Sequence, residues 1–251
     1  MKVRKPSIAG TFYSNNSGEL KKELKYIKDS KEKKEEIAII APHEGYVYSG
    51  NVAGLVYKQI RDDYEKVIIL APNHTVYTKK AILDTNDYWE TPLGRVKIWK
   101  PKINNDAFQE NEQAHKQEHA IETHLPFLQT RLKNFEILPI IIGDINEIDL
   151  NKITKEILNL HTKKTLLVIS TDLSHFLTEK HAREVDQETI QNITKLIDVS
   201  QEYACGANPL KVMNRVLKEK AKKPEFIEYE TSAKASGNTR EVVGYASFII
   251  E

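Results

Sequence analysis

The stretch IAIIAPHEGYVYSG, residues 37–50, decides how the chain is read. Four apolar residues run into Ala41-Pro42, then into His43, an acid, a glycine and two tyrosines. The apolar run is short and unbroken by polar alternation, which predicts a strand covered on both faces. Proline cannot donate to a sheet ladder, so Ala41-Pro42 marks the strand's exit. The imidazole therefore stands where a buried strand surfaces. The chain repeats the arrangement: KVIILA (66–71) runs into Pro72-Asn73-His74, and TLLVIS (165–170) into Thr171-Asp172-Leu173-Ser174-His175.

Outward from these, EILPIII (136–142) and VVGYASFII (242–250) also read as strands, with AILD (81–84), RVKIW (95–99) and EFIEYE (225–230) as weaker ones. Helical periodicity falls between them, over residues 50–61, 118–132, 148–160, 179–197 and 209–221. Near the N-terminus, Ser17 is placed to cap LKKELKYIK, with Leu20, Leu24 and Ile27 on one face. Strands alternating with helices predict one α/β domain over residues 1–251: a mixed, mostly parallel central sheet flanked by helices on both faces. Residues 84–115 are the least regular, and TNDYWETPLG within them reads as a loop over one end of the sheet.

Composition narrows the function classes. The 251 residues carry 37 basic and 36 acidic side chains, a net charge of +1. That balance argues against a general nucleic-acid binder, which needs a clustered basic face. The dense charge run KDSKEKKEE (28–36) mixes signs and reads as a solvated helix end and loop. No apolar stretch reaches the roughly 18 residues of a membrane span. The N-terminus lacks a signal-peptide apolar core, so a cytoplasmic protein is expected. Cys205 is the single cysteine, which excludes an intramolecular disulfide.

In an open parallel sheet, ligands gather beyond the carboxyl ends of the strands. If the three histidine-bearing strands are parallel neighbours, His43, His74, Asp172 and His175 converge on one pocket. A fourth cluster is QEHAIETHLPF (117–127). On a helix its Glu118 and Glu122 share one face, and His119 neighbours Glu122; His124 is expected nearer the solvent. Neither HExxH nor HxxEH occurs, which argues against a zinc protease. Cys205 precedes a helix expected near Pro209, and a helix N-terminus favours a metal-binding thiolate. Two imidazoles with a thiolate or carboxylate suit iron, copper or zinc rather than magnesium or calcium. A further aspartate and histidine would orient ligands or move protons. Ordinary roles stand beside these: a solitary histidine is commonly structural, Asp172 is placed to cap a helix, and Glu118, Glu122 and His124 also fit a solvated helix face. Cys205 alone would pass as inert packing. His115, His161 and His181 read as surface residues.

Taken in order, the motifs Arg4-x-Pro6-x-x-Ala9-Gly10-Thr11-Phe12-Tyr13, Ala41-Pro42-His43-x-Gly45-Tyr46-x-Tyr48-Ser49-Gly50, Pro72-x-His74, Glu90-Thr91-Pro92-Leu93-Gly94, Glu118-His119-x-x-Glu122-x-His124-Leu125-Pro126-Phe127, Ser170-x-Asp172-x-Ser174-His175 and Cys205-Gly206 resemble the MEMO family. Its eukaryotic members are mediators of cell motility; its bacterial and archaeal members are the B component of the AmmeMemoRadiSam system. The resemblance implies the fold of class III extradiol dioxygenases. It also implies a pocket whose metal ligands are His43, His74 and Cys205, with Asp172 and His175 as the catalytic pair beside them. Glu118, His119, Glu122, His124, Tyr46 and Asn73 would line the pocket or support its ligands. Iron or copper is the implied metal, with zinc chemically possible; a small molecule or peptide is the implied ligand, and radical-SAM and AMMECR-type proteins are implied associates. The family's His-Ala-Gly-Tyr is here His43-Glu44-Gly45-Tyr46, and its paired histidine is reduced to Asn73-His74.

These residues support three functions. The first is a metal-dependent redox protein. The second is a binding module that keeps the pocket and uses Tyr13, Tyr46, Tyr48 and Trp89 as an aromatic rim. The third is a hydrolase built on Cys205, His175 and Asp172.

Overall fold

The computed structural model describes residues 1–27, 37–103 and 105–251; the charge run at 28–36 lies outside the described residues. In chain order the elements are β1 (Val3–Arg4), α1 (Ser17–Glu23), a 3-10 turn (Lys25–Ile27), β2 (Ala38–Ala41), α2 (Tyr46–Tyr57) and β3 (Lys66–Ala71). There follow β4 (Ala81–Leu83), β5 (Tyr88–Thr91), β6 (Gly94–Ile98), β7 (Phe108–Glu110), α3 (Glu112–Lys116), α4 (His119–Glu122), α5 (Leu125–Arg131) and β8 (Glu136–Ile142). The remainder is α6 (Glu147–Leu160), β9 (Thr165–Ser170), β10 (His175–Leu177), α7 (Glu179–Thr194), α8 (Ala207–Lys220), β11 (Glu225–Thr231), α9 (Ala233–Ser236) and β12 (Val242–Ile250).

The strands form one sheet whose central path is β6-β8-β3-β9-β2, parallel throughout. Antiparallel pairs lie outside it: β5 on β6, β4 on β8, and β12 on β2, with β10 and β11 on β12. The expected mixed, mostly parallel sheet is what the chain builds. Successive side chains of a strand point to opposite faces, and both faces here are apolar. On one side Ile39, Val67, Ile69 and Val168 pack with Leu20, Val56 and Leu128 from α1, α2 and α5. On the other, Ile40, Ile68, Leu70 and Ile169 pack with Ile153, Ile193 and Met213 from α6, α7 and α8. Among the described residues no helix is long and apolar enough to cross a membrane.

Register brings the strand exits level. Ala41 stands opposite Ser170, and Leu70 opposite Ile169, so β2, β9 and β3 stop side by side with β9 in the middle.

Several elements differ from the sequence reading. TNDYWETPLG is not a loop: Tyr88–Thr91 and Gly94–Ile98 form an edge hairpin, with Trp89 and Thr91 turned inward. Its alternation spans only four residues, too few to register as a strand period. Asn16, not Ser17, caps α1, its side chain accepting from the Gly18 and Glu19 amides at 2.9 and 3.1 Å. The helix expected over 118–132 is two short ones, because Pro126 has no N–H to give the carbonyl of Glu122. His115 and His161 are buried rather than on the surface, with their Nε2 atoms 3.2 and 2.9 Å from the Ile82 and Ile37 carbonyls.

The N-terminal strand is anchored by a buried ion pair. Arg4 Nη1 donates to Glu122 Oε2 at 2.5 Å, Nε to the His115 carbonyl at 2.6 Å and Nη2 to the Glu118 carbonyl at 2.8 Å. Its guanidinium lies 3.9 Å over the Trp89 ring. Glu122 also accepts from the Ser7 amide at 2.9 Å and the Tyr13 hydroxyl at 2.7 Å. Removing one partner leaves an uncompensated buried charge, so Arg4→Ala should cost about 3–5 kcal/mol in urea unfolding at neutral pH. Burial alone would raise the Glu122 carboxyl, but the Arg4 guanidinium, the Ser7 amide and the Tyr13 hydroxyl outweigh it and hold it below the usual range. Its contribution is therefore complete above the unfolded glutamate value, about 4.3, and is lost as pH falls through the lower folded value. Glu122→Gln should flatten the decline of stability below about pH 5; an unaltered acid slope would refute this account.

Candidate metal centre

Three exits and one short helix supply the centre. His43 follows β2, His74 follows β3, the segment Asp172–His175 follows β9, and α4 opens with His119 behind its N-cap Glu118. The imidazoles of His43, His74 and His119 pack together, with centroid separations of 5.3, 5.4 and 4.8 Å. One ligand nitrogen from each lies within 4.8 Å of the others.

The partners of these rings decide which nitrogen is free. Ser170 Oγ gives its proton to the Ala120 carbonyl at 2.6 Å, so it accepts from His43 Nδ1 at 2.7 Å. Glu118 Oε1 stands 3.0 Å from His74 Nδ1 and 3.4 Å from His119 Nδ1. The same carboxylate accepts from the His74 amide at 2.8 Å and the Ala120 amide at 3.0 Å. His43 and His74 thus each meet an acceptor at Nδ1, which places the proton there and leaves the Nε2 lone pair for a ligand, while His119 has only the longer, electrostatic approach to Glu118. His175 follows the same rule, with Nδ1 2.7 Å from the Leu173 carbonyl.

Cys205 stands outside the imidazole trio but touches it: its sulfur is 3.5 Å from His43 Nε2 and accepts from the Asp172 amide at 3.2 Å. Gly206 makes this approach possible, because a Cβ there would come within 2.4 Å of Thr171 Cβ and 2.5 Å of the Ser170 carbonyl oxygen. For bonds of about 2.1 Å to nitrogen and about 2.3 Å to sulfur, a tetrahedral ion separates the two donors by about 3.6 Å. That pair has the spacing of two donors on one ion, but the donors that lie within 4.8 Å of one another are those of His43, His74 and His119, without Cys205, and three imidazoles suit a transition metal.

Electrostatics set the resting state. Burial, with the neighbouring imidazoles of His74 and His119, holds His43 well below the ordinary histidine range. Burial also lowers His119 and His175. His74 alone is raised: burial opposes this, but the hydrogen bond and charge of Glu118 prevail. Burial pushes Asp172 up to about 7, against the His43 amide that bonds its Oδ1 at 2.9 Å. The Cys205 thiol is pushed up as well, by burial and the Asp172 carboxylate. The helix N-terminus expected to lower it does begin nearby, at Ala207, but is outweighed.

The other candidates occupy varied positions. His124 is fully buried rather than near solvent, its ring against Tyr57. Glu122 serves Arg4, and Tyr46 donates to the Thr123 carbonyl at 2.7 Å. Asn73 closes a turn, its Oδ1 accepting from the Val76 amide at 3.2 Å. Neither Tyr13 nor Trp89 forms a rim; both are buried, Trp89 donating to Asp84 Oδ2 at 2.6 Å. Phe12 meets His119 edge-on at 5.2 Å and also lines a separate cavity of about 600 Å³. Sequence reasoning missed how closely His119 sits among the exit histidines and that Ser170 orients His43. The one available signal was Ser170 closing an otherwise apolar strand.

The sequence model of a family described as Memo-like protein matches residues 4–249. A MEMO1 family protein of Methanosarcina barkeri is 34% identical over 268 residues, covering 99% of this chain and all of the relative. Another, from Aquifex aeolicus, is 36% identical over 275 residues and 99% of each chain. A third, from Archaeoglobus fulgidus, is 32% identical over 265 residues, 98% of this chain and 99% of the relative.

A thiol raised by burial reacts slowly. Metal-free native protein at neutral pH should take up iodoacetamide at Cys205 at least about tenfold more slowly than urea-unfolded protein. Equal rates would restore the cysteine as a nucleophile.

Proposed function

The chain belongs to the Memo-like family, and from that membership together with its facing imidazoles we propose that it is a metal-dependent redox protein. The metal is iron or copper, with zinc as a redox-silent competitor for the same donors. One observation carries the reading: His43, His74 and His119 each bring a ring nitrogen within 4.8 Å of the others, and His43 and His74 keep Nδ1 on an acceptor.

Such a metal, when bound, supplies Lewis acidity and an electron path to a small substrate. The chain's own residues do the rest. Glu118 fixes the His74 ring and keeps negative charge beside that of His119. Ser170 fixes the His43 ring. His175, its Nδ1 held by the Leu173 carbonyl, has Nε2 free to accept a proton. Asp172, raised to about 7, holds or releases a proton near neutrality. The extradiol-dioxygenase fold that the resemblance to the MEMO family implies favours oxidation of a small organic substrate as the reaction class.

A second reading has its own observation. Tyr48, Tyr77, Phe176 and Tyr203 are exposed by 39, 78, 76 and 38%, and each lies within five residues of His43, His74, His175 or Cys205. Exposed aromatics on the segments that build a pocket suit recognition of an apolar partner. A partner that stays bound after chelation would favour this binding role; oxygen uptake that depends on metal favours catalysis.

Elemental analysis of anaerobically purified protein tests the first reading. His43→Ala, His74→Ala and His119→Ala should each lower bound iron or copper at least about tenfold, and Glu118→Gln should weaken metal affinity by about 10–100-fold. Metal content unchanged in all three histidine variants would end the proposal.

A further inference from the structure

The segment that carries His175 is held in an unusual way. Phe176 has φ 59° yet is 76% exposed, so no packing of its ring offsets a left-handed backbone. For a bulky residue this conformation is strained and persists only where its surroundings over-determine it. Directly after His175 the pairing with β12 slips register.

What determines it lies behind the segment. Gly244 of β12 donates to the Ser174 carbonyl at 2.9 Å and accepts from the Leu173 amide at 2.8 Å. Asp186 of α7, fully buried, accepts from the Ser174 amide through Oδ1 at 2.9 Å. Its Oδ2 accepts from the Tyr229 hydroxyl at 2.8 Å. A Cβ on Gly244 would come within 1.9 Å of Asp186 Oδ2, so glycine is what lets the carboxylate reach the segment. Both partners are neutral donors. Arg183, one turn earlier on α7, bonds Glu179 at 2.7 Å instead. A buried carboxylate held by neutral donors is expensive, and a hydrocarbon side chain would fill the space without that cost.

We infer that Asp186 is a positioning residue for His175: by holding the Ser174 amide it fixes the backbone of residues 173–176 and so aims the His175 ring. The route is short. Asp186 holds Ser174, Gly244 holds Leu173 and Ser174, and the Leu173 carbonyl holds His175 Nδ1. Tyr229 keeps the carboxylate in place from its far side. The inference rests on the reading of His175 as the proton-handling ring, but its geometry is testable without metal or substrate.

Hydrogen exchange of the full chain, with and without bound metal, provides the test. In Asp186→Ala the amides of residues 173–176 should exchange at least about tenfold faster, while those of α6 and β3 stay as in the wild type. Asp186→Asn keeps Oδ1 as an acceptor for Ser174 and can donate to the Tyr229 oxygen, so it should stay within about twofold of wild type. A second readout follows the ring itself: a protected His175 Nδ1–H resonance in nitrogen-correlated NMR should survive in the Asn variant and vanish in the Ala variant. If Asp186→Ala does not fold, Tyr229→Phe is read in the same way and should speed exchange of the same four amides. Unchanged exchange at 173–176, or an equal rise throughout the protein with no rescue by asparagine, overturns the inference. Metal content, measured on the same samples, reports separately on the metal reading.

Discussion

The centre depends on the level at which three parallel strands stop. Ala41, Ser170 and Ala71 end β2, β9 and β3 in register, and the residues that follow have one shared direction to go. A slip of a single residue would turn every side chain of a strand to the other face. It would exchange Val67 and Ile69 for Ile68 and Leu70 between two cores that are already filled. Hydrophobic packing on both faces therefore sets the distance between His43 and His74, although neither ring belongs to it.

Beyond the strand ends, buried acids divide the work according to their partners. Glu118 and Glu122 lie on the same short helical segment but face different charges. Glu122 is matched by Arg4 and ties the N-terminal strand to the site; Glu118 is matched by His74 and holds its ring. Both are kept ionised against burial. Asp172, with the His43 amide on one oxygen and the His43 ring 3.8 Å from the other, lacks a comparable cation and rises to about 7. Carboxyl groups thus shift in opposite directions through environment, Glu118 held ionised by its partners and Asp172 raised by burial.

Much of the fold was legible along the chain because its central strands are apolar on both faces. KVIILA, EILPIII and TLLVIS became β3, β8 and β9 with the same bounds. Two short outer strands were not legible: β5 and β10 span four and three residues, and pairing with neighbours makes them strands. The site followed the same division. Strand-end histidines announce themselves by position, whereas His119 and His124 share one helical stretch and local spacing cannot say which ring turns to the pocket. His115 and His161 looked like surface residues because their acceptors, the Ile82 and Ile37 carbonyls, are distant in sequence.

By itself, the order of residues determined the layered α/β architecture, the exits at Ala41-Pro42 and Ala71-Pro72, and a meeting of histidines beyond them. These are local consequences of side-chain period and of proline's missing donor. Tertiary structure alone decided which nitrogen each ring presents, which acid is ionised, and how near Cys205 comes to His43. For His43, His74 and Cys205 those properties belong to contacts between segments more than 40 residues apart, and burial, not residue type, sets their chemistry.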